Sequence, residues 1–430
     1  MKSDVLIIGA GAAGLMAARD LADAGKKVLI IEARDRIGGR IFSLSQKDFG
    51  YNAEGGAEFV HGEAPITMEL ITKAGLTYVP SEGTLWNIRS GKPTKSEHGP
   101  TGDPRFLEYK IAIVKKLKEL HEDIPIAEFL EINFSASEFA AVREWITMMV
   151  EDYDAGDPKR MSSFALRDEW LGGEEWKQGK IKEGYGPLVD YLGEQCKTLG
   201  VEIILNEEII SVEALDKTVE IKSLRGNTYE GNQVIVTLPV PIIQDIKFIP
   251  DIGGVLTNIS SIGFGGVIKF LFRFKSRWWL EIFEEDLSSG TFLLVNPPVT
   301  AWWTQYPETY PVLTGWIPGP HADKYKNATD QEIIELGLHS LIETFRVERS
   351  FLEEQLIFSK VINWPADTLS QGAYSYPTPK FLEARAALVE PIKGKIFLAG
   401  EALYSGDETA TVEGALGSGK EVAEKIIMLK

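Results

Sequence analysis

The sequence predicts an α/β fold, and three stretches carry the prediction. Val5-Leu6-Ile7-Ile8 reads as a buried strand running into Gly9-Ala10-Gly11-Ala12-Ala13-Gly14, a Gly-x-Gly-x-x-Gly turn on which a helix opens. Near the C-terminus, Lys395–Ala399 reads as another strand, followed by Gly400-Glu401 and a helix from about Val412. Between them, Val201–Leu205, Ile209–Ala214, Thr218–Ser223 and Gln233–Leu238 alternate like strands, the last closed by Pro239.

The N-terminal unit specifies a ligand class. Gly9 permits the tight turn, Gly11 lets the backbone approach a pyrophosphate, and Gly14 lets the helix pack closely on the sheet. The helix N-terminus offers amide N–H groups to anionic oxygens, and Ala12, Ala17 and Ala18 keep the helix slim. A second strand, Lys27–Ile31, ends at Glu32, whose carboxylate can accept hydrogen bonds from ribose hydroxyls. Strand, turn, helix, strand and acid in this order describe a Rossmann-like dinucleotide site. The run from Glu32 to Arg40 adds Gly38, Gly39 and three arginines, Arg34, Arg36 and Arg40, able to neutralise phosphate. Glu32 would oppose a 2′-phosphate, which disfavours NADP.

This stretch resembles the flavin-binding start of the FAD-dependent amine oxidases, the family of monoamine and polyamine oxidases. The resemblance implies FAD, contacted by Gly9, Gly11, Ala13, Gly14, Glu32, Ala33, Arg34, Gly39 and Arg40. Asp48–Gly62 contains Gly55-Gly56-Ala57-Glu58-Phe59-Val60-His61-Gly62, glycines that suit backbone passing close to something flat. Family members carry Gly-Ala-x-aromatic-x-His-Gly there, along the flavin and the inner end of the substrate cavity. That implies cofactor contacts from Gly56, Ala57 and Glu58, and a cavity position for His61. Taken alone, His61 is a loop histidine and more often structural.

Further along, 64–75 reads as a helix ending at Gly75, and 76–103 as irregular strands and loops. Leu107, Ile111, Val114, Leu117 and His121 recur at helical spacing, with Lys115, Lys116 and Lys118 on the wet side. Ser135–Val150 is a second periodic stretch, with Phe139, Val142, Trp145, Ile146 and Met149 inward; Asp152–Arg160 reads as a polar turn and Glu174–Gly186 as a glycine-bearing loop. A helix from Pro187 to Leu199 closes at Gly200. The resemblance makes Ile209 a backbone contact to the adenine; its side chain is equally an ordinary β-branched core residue.

In Gly263–Phe274, alternation puts Ile268, Phe270, Phe272 and Phe274 on one face and Val267, Lys269, Leu271 and Arg273 on the other. A lysine at the centre of so apolar a strand is costly unless its ammonium finds water or a partner, snorkelling being the commoner solution. The family holds a lysine at the matching place, bridged through a water to flavin N5, which makes Lys269 the first catalytic candidate. Trp278, Trp279, Trp302, Trp303, Tyr306, Trp316 and Trp364 are either aromatic walls of an apolar amine cavity or the packing of a sheet on helices. Asp330–Phe345 is an amphipathic helix over that sheet.

Trp364–Ser375 resembles the family's Trp…Asp…Gly-x-Tyr-Ser segment, in which Tyr374 matches an aromatic residue facing the flavin. Covalent members carry a flavin-bearing cysteine where this chain has Ala373, so the FAD should be noncovalent. Gly400, Glu401, Thr411 and Val412 match the closing FAD motif, Glu401 accepting from ribityl hydroxyls and the helix start facing the isoalloxazine carbonyls. Monoamine oxidases have a tyrosine where Thr411 stands, the second wall of an aromatic cage. Thr411 looks more like the polyamine-oxidase pattern, and Tyr404 or a tryptophan would supply the missing wall.

Composition bounds the rest. At 430 residues two domains are expected, and 44% hydrophobic with 25% charged residues fits a globular chain. Cys196 is the only cysteine, which excludes an internal disulfide and suits a reducing, cytoplasmic setting. Its simplest reading is a small apolar helix residue. The formal charge of −18 argues against nucleic acid and mildly favours cationic ligands. No leader precedes the first strand and no apolar run approaches the ~20 residues that span a bilayer. The expectation is an FAD-binding domain from 1–75, 190–260 and 365–430, interleaved with an α+β substrate-binding domain from 76–189 and 261–364. The implied chemistry is oxidation of an amine C–N bond by hydride transfer to flavin, with Lys269, Tyr374 and His61 at the site, O2 as acceptor, peroxide as product and no metal. Rival readings on the same fold are L-amino-acid oxidation, with Arg167, Arg273 or Arg277 binding the carboxylate, desaturation of a large apolar substrate, or a flavoprotein without turnover. The particular amine and the oligomeric state stay open.

Overall fold

A computed structural model describes residues 2–96, 105–171 and 177–429. Two sheets dominate it. In the first, strands run in the order Lys247–Ile249, Ile209–Ala214, Val219–Ser223, Thr228–Val236, Lys2–Ile8, Val28–Ile31 and Glu202–Ile204, with Ile396–Leu398 also pairing on Thr228–Val236. The pairs around Lys2–Ile8 are parallel, Val5 facing Val28 and Ile8 facing Ile31. These strands are continuous apolar runs because both faces are covered. The helices Ala12–Asp23, Gly186–Thr198 and Val412–Met428 pack on one face through Leu15, Leu192 and Leu416, and Cys196 is buried among them. The antiparallel strands 209–236 share the second core with the Phe381–Leu388 helix.

The second sheet has the order Leu356–Asn363, Val267–Phe274, Val312–Pro318, Ala301–Trp303, Gly290–Leu294, Thr84–Arg89 and Lys92–Lys95. Ile268, Phe270, Phe272 and Phe274 point into the core beneath the Asp330–Phe345 helix, together with Trp278, Trp279 and Trp302. These three tryptophans are therefore sheet packing. That helix starts with a capping box, in which Thr329 and Glu332 satisfy each other's backbone amides. A helical block covering 106–171 has its own core around Phe129, Trp145 and Ile146.

Two local expectations are corrected and a third is extended. The helix Phe106–Lys118 buries Ile113 and Leu117, while Leu107 and Ile111 are 65% and 62% exposed. Both faces of this helix carry apolar residues, so its neighbours rather than its period select the inner one. Within 174–186, Gln178–Ile181 is a strand rather than loop, held between Phe59–His61 and Tyr78–Pro80. Its own β-propensity is low; two antiparallel neighbours supply the pairing. The turn after the Ala140–Asp152 helix is polar as read, but Asp152, Tyr153 and Asp154 also line an interior cavity.

Candidate active site

A single cavity of about 1520 Å³ runs between the two sheets, lined by described residues from both. At one end it opens on the glycine turn. A Cβ added at Gly11 would meet nothing within 4 Å, so this backbone borders open space. The same atom at Gly14 would stand 2.0 Å from the Gly9 carbonyl oxygen. Gly14 does not line the cavity, and its close approach to Gly9 packs the helix onto the turn. Glu32 accepts from the amides of Ala10 at 2.7 Å and Arg34 at 2.8 Å, which fixes its carboxylate at the cavity wall.

The arginines divide their tasks. Arg34 pairs with Asp367 at 2.7 Å and donates to Ser370 Oγ at 2.9 Å. Arg40 donates to the Ala373 carbonyl at 2.7 Å and to Glu401 at 2.9 Å, and Ser375 donates to the other Glu401 oxygen at 2.6 Å. These bonds tie the N-terminal loop to two C-terminal segments. Arg36, expected beside phosphate, instead donates to the carbonyls of Ile37, Gly39 and Ile41 and does not line the cavity. Its fork closes its own loop. Gly9, Ala13, Ala33, Gly39, Gly56, Ala57, Ile209, Gly400, Thr411 and Val412 all line the cavity, although they come from five separate stretches of chain. Thr411 caps the Val412–Met428 helix by accepting from the Gly414 amide at 3.0 Å.

Lys269, 2% exposed, lines the same cavity. Its ammonium donates to the Gly56 carbonyl at 3.1 Å and to Glu58 at 2.7 Å, and lies 5.3 Å from the centre of the Trp303 ring. An ammonium has three donors, so one remains for the cavity. Glu58 lines the cavity, but its carboxylate is engaged by protein: Lys180 at 2.6 Å, Lys269, and the Trp303 indole at 3.1 Å and 3.2 Å. Burial alone would raise its pKa; the two ammonium groups more than offset that and hold it at about 2. The partner Lys180 belongs to the strand that sequence reading took for a loop.

The far end is walled by Phe292, Trp303, Trp316, Tyr374, His61 and Tyr153. Trp303 and Trp316 lie 5.4 Å apart at 58°, and the His61 and Tyr153 rings 6.1 Å apart. The Tyr374 hydroxyl donates to the Tyr153 carbonyl at 2.9 Å, and the Trp316 indole to that of Asp152 at 3.1 Å. Burial depresses the His61 pKa to about 4, so this imidazole is neutral at neutral pH. Tyr404 packs against Gly406 and Gly417 outside the cavity lining, and Tyr306 lies by a separate small hollow. Tryptophans, not Tyr404, supply the aromatic wall.

Sequence reasoning missed two acids here, Asp152 and Asp154. Every cation lining the cavity among the described residues already has a partner: Arg34, Arg40 and Lys269 as above, Arg167 with Asp168, Lys177 with Glu63, and Arg385 with the Tyr404 carbonyl. Among the described residues no cluster of His, Cys, Asp or Glu could hold a metal ion, and no helix is long and apolar enough to cross a membrane.

The family model for flavin containing amine oxidoreductases matches residues 12–427, and the chain belongs to that family. It is 27% identical to human lysine-specific histone demethylase 2 over 99% of this chain and 53% of that protein. It is 24% identical to polyamine oxidase 4 of Oryza sativa subsp. japonica (99% and 90%), and 25% identical to mouse amine oxidase [flavin-containing] B (99% and 86%). The chain thus spans about half the length of the histone demethylases it matches. Among solved structures, a putrescine oxidase bound to putrescine superposes with a TM-score of 0.81 at 18% identity, covering 99% of each chain. Cyclohexylamine oxidase from Brevibacterium oxydans gives 0.80 at 22% identity, over 99% and 98%. These establish an amine-oxidase-type α/β fold.

The family cofactor is FAD, and the residues fit it. The open cradle at Gly11, the carboxylate of Glu32 and two helix N-termini, at Ala12 and Val412, all border one elongated cavity. Gly11→Ala is expected to fold normally, its φ of −74° suiting any residue, yet to weaken FAD binding about tenfold or more by filling the cradle. Titration of apoprotein by flavin fluorescence measures this; unchanged affinity would remove Gly11 from the cofactor site.

Proposed function

We propose that this chain oxidises an amine at a C–N bond, giving an imine that water hydrolyses to a carbonyl compound, with O2 reoxidising the cofactor and yielding peroxide. The observation that carries the reading is Lys269, a buried ammonium in the cavity lining that touches both the Gly56 backbone and the Trp303 ring and uses two of its three donors on Gly56 and Glu58. Bound FAD supplies the two-electron chemistry. The protein's own part is positioning, water exclusion and electrostatics.

Gly11, Glu32, Arg34, Arg40, Glu401 and the amides at Val412 hold the dinucleotide in this reading. Trp303, Trp316 and Tyr374 form dry walls that orient the amine, and neutral His61 places no positive charge beside it. Lys269 donates its free N–H toward the reacting end, and Glu58 fixes the direction of that donor. The FAD is held without a covalent bond: Ala373 offers no nucleophile, and Cys196 lies off the cavity in the helix-covered core, donating to the Leu15 carbonyl at 3.3 Å.

Amino-acid oxidation is disfavoured by the cations. Arg167 lines the cavity but is paired, Arg273 donates to the Asp48 carbonyl, and Arg277 is outside the lining. The test is aerobic turnover of an amine and of its α-carboxylated analogue, with peroxide and carbonyl product measured. Turnover of the amine is expected; turnover of the carboxylated compound alone would overturn the assignment.

A further inference from the structure

We propose that Lys180 is a positioning residue for the reaction: acting through Glu58 from outside the cavity, it holds the Lys269 ammonium in place and gives the wall a net positive charge that favours the reduced flavin. The inference rests on the amine-oxidation reading and deepens it. Glu58 and Lys269 line the cavity, whereas Lys180 does not. Its link to the site is the 2.6 Å ion pair with Glu58 Oε1.

The backbone brings Lys180 there. Gln178–Ile181 is the middle strand of a three-stranded sheet, and its register sets Lys180 opposite Phe59 on one side and Val79 on the other. Glu58 immediately precedes Phe59, so strand pairing rather than a loop delivers the ammonium to the carboxylate. The same ammonium lies 4.8 Å from the centre of the Phe59 ring, and Phe59 lines the cavity against Phe292 and Trp303. At 17% exposure the Lys180 charge is only partly screened by solvent.

The Glu58 carboxylate is shared out one lysine to each oxygen. Oε1 takes Lys180 at 2.6 Å and Oε2 takes Lys269 at 2.7 Å, while the Trp303 indole stands 3.2 Å and 3.1 Å from the two. Lys180 thus occupies the oxygen that Lys269 does not use and keeps the carboxylate from turning. Two ammonium groups and one carboxylate carry a formal charge of +1. The next acid in the same loop, Glu54, accepts from the Ser43 hydroxyl at 2.8 Å and the Tyr185 amide at 2.7 Å. Burial pushes it up to about 7, so at neutral pH it is not a full counter-charge.

That charge bears on the reaction. When the C–H bond of the neutral amine breaks, a hydride (one proton and two electrons) passes to the flavin and an iminium cation is left. The flavin gains one unit of negative charge, and a buried positive cluster in the wall of its cavity stabilises that product.

The test is the two-electron midpoint potential of the holoprotein, read against a reference dye during reduction by dithionite, alongside stopped-flow reduction by amine. In Lys180→Met the equilibrium with the dye is expected to shift about tenfold toward oxidised flavin, which is about 30 mV for a two-electron couple. Flavin reduction at saturating amine should slow by about three- to tenfold, with the apparent amine Kd changed less than about twofold. Lys180→Arg, which keeps the charge, should restore both. Lys180→Gln keeps an N–H donor for Glu58 but no charge; it should reproduce the shift in potential, and it stands in if the methionine variant does not fold. A potential unchanged in the uncharged variants, or an equal loss in Lys180→Arg, would overturn the role of Lys180 while leaving amine oxidation standing. Failure of every amine to reduce the wild-type flavin would instead overturn the underlying reading, a result on which the dye titration does not depend.

Discussion

Lys269→Met is expected to slow flavin reduction by amine, or its reoxidation by O2, by about a hundred- to a thousandfold, the usual effect of losing a preorganised donor at a reacting centre. Methionine keeps the length of the side chain and suits the apolar strand, so the fold should persist. The Glu58 carboxylate would keep Lys180 at 2.6 Å and the Trp303 indole as partners, so no buried anion is left alone. FAD should stay bound, because the bonds that tie the glycine loop to the C-terminal segments run through Arg34, Arg40 and Glu401, not through Lys269. Stopped-flow absorbance resolves the two half-reactions. Unchanged rates in both would remove Lys269 from the chemistry and leave it a buried structural lysine.

Glu58→Gln is expected to be more damaging to the folded state than Lys269→Met. It leaves the ammonium groups of Lys269 and Lys180 side by side, 2% and 17% exposed, without the anion that joins them. Breaking a buried pair in this way typically costs about 3–5 kcal/mol. Removing the second cation as well, in Glu58→Gln/Lys180→Met, should recover part of that loss, which a general packing defect would not allow. The pH dependence has a definite sign. The Glu58 pKa falls from 4.5 to about 2 on folding, so its stabilisation is complete above 4.5 and disappears as pH drops through 2. Denaturant titrations at several pH values should therefore show the wild type losing its advantage over Glu58→Gln in that window. A constant difference from pH 7 down to 2 would contradict the account.

What the sequence reveals here depends on how far apart the interacting residues lie. The Gly9–Gly14 turn, Glu32 and the strand–glycine–helix at Gly400 are readable because each requirement is met by neighbours in the chain: a strand, a bend, an amide array. The face pattern of Val267–Phe274 is likewise local, and the Asp330–Phe345 helix follows from its period. Glu58 was assigned to the cofactor because its motif lies along the flavin, and nothing near it announces Lys180, 122 positions away on a strand of low propensity. Arg36 had the same composition signal as Arg34 and Arg40, and only the loop's conformation turns it back on its own carbonyls. In the sequence Asp152 and Asp154 read only as part of a polar turn. Their place in the cavity wall depends on the Tyr374 strand and Trp316, which tertiary structure alone brings there. Trp303 and Trp316 could be separated from Trp278, Trp279 and Trp302 only by knowing which side of the sheet carries the helix.

The measurement closest to the central claim is the anaerobic visible spectrum of the purified holoprotein as amines are added in turn. The account predicts a yellow protein that bleaches with an amine and regains its colour in air with release of peroxide. A flavin that stays oxidised with every mono-, di- and polyamine would contradict it, whatever the fold and the family.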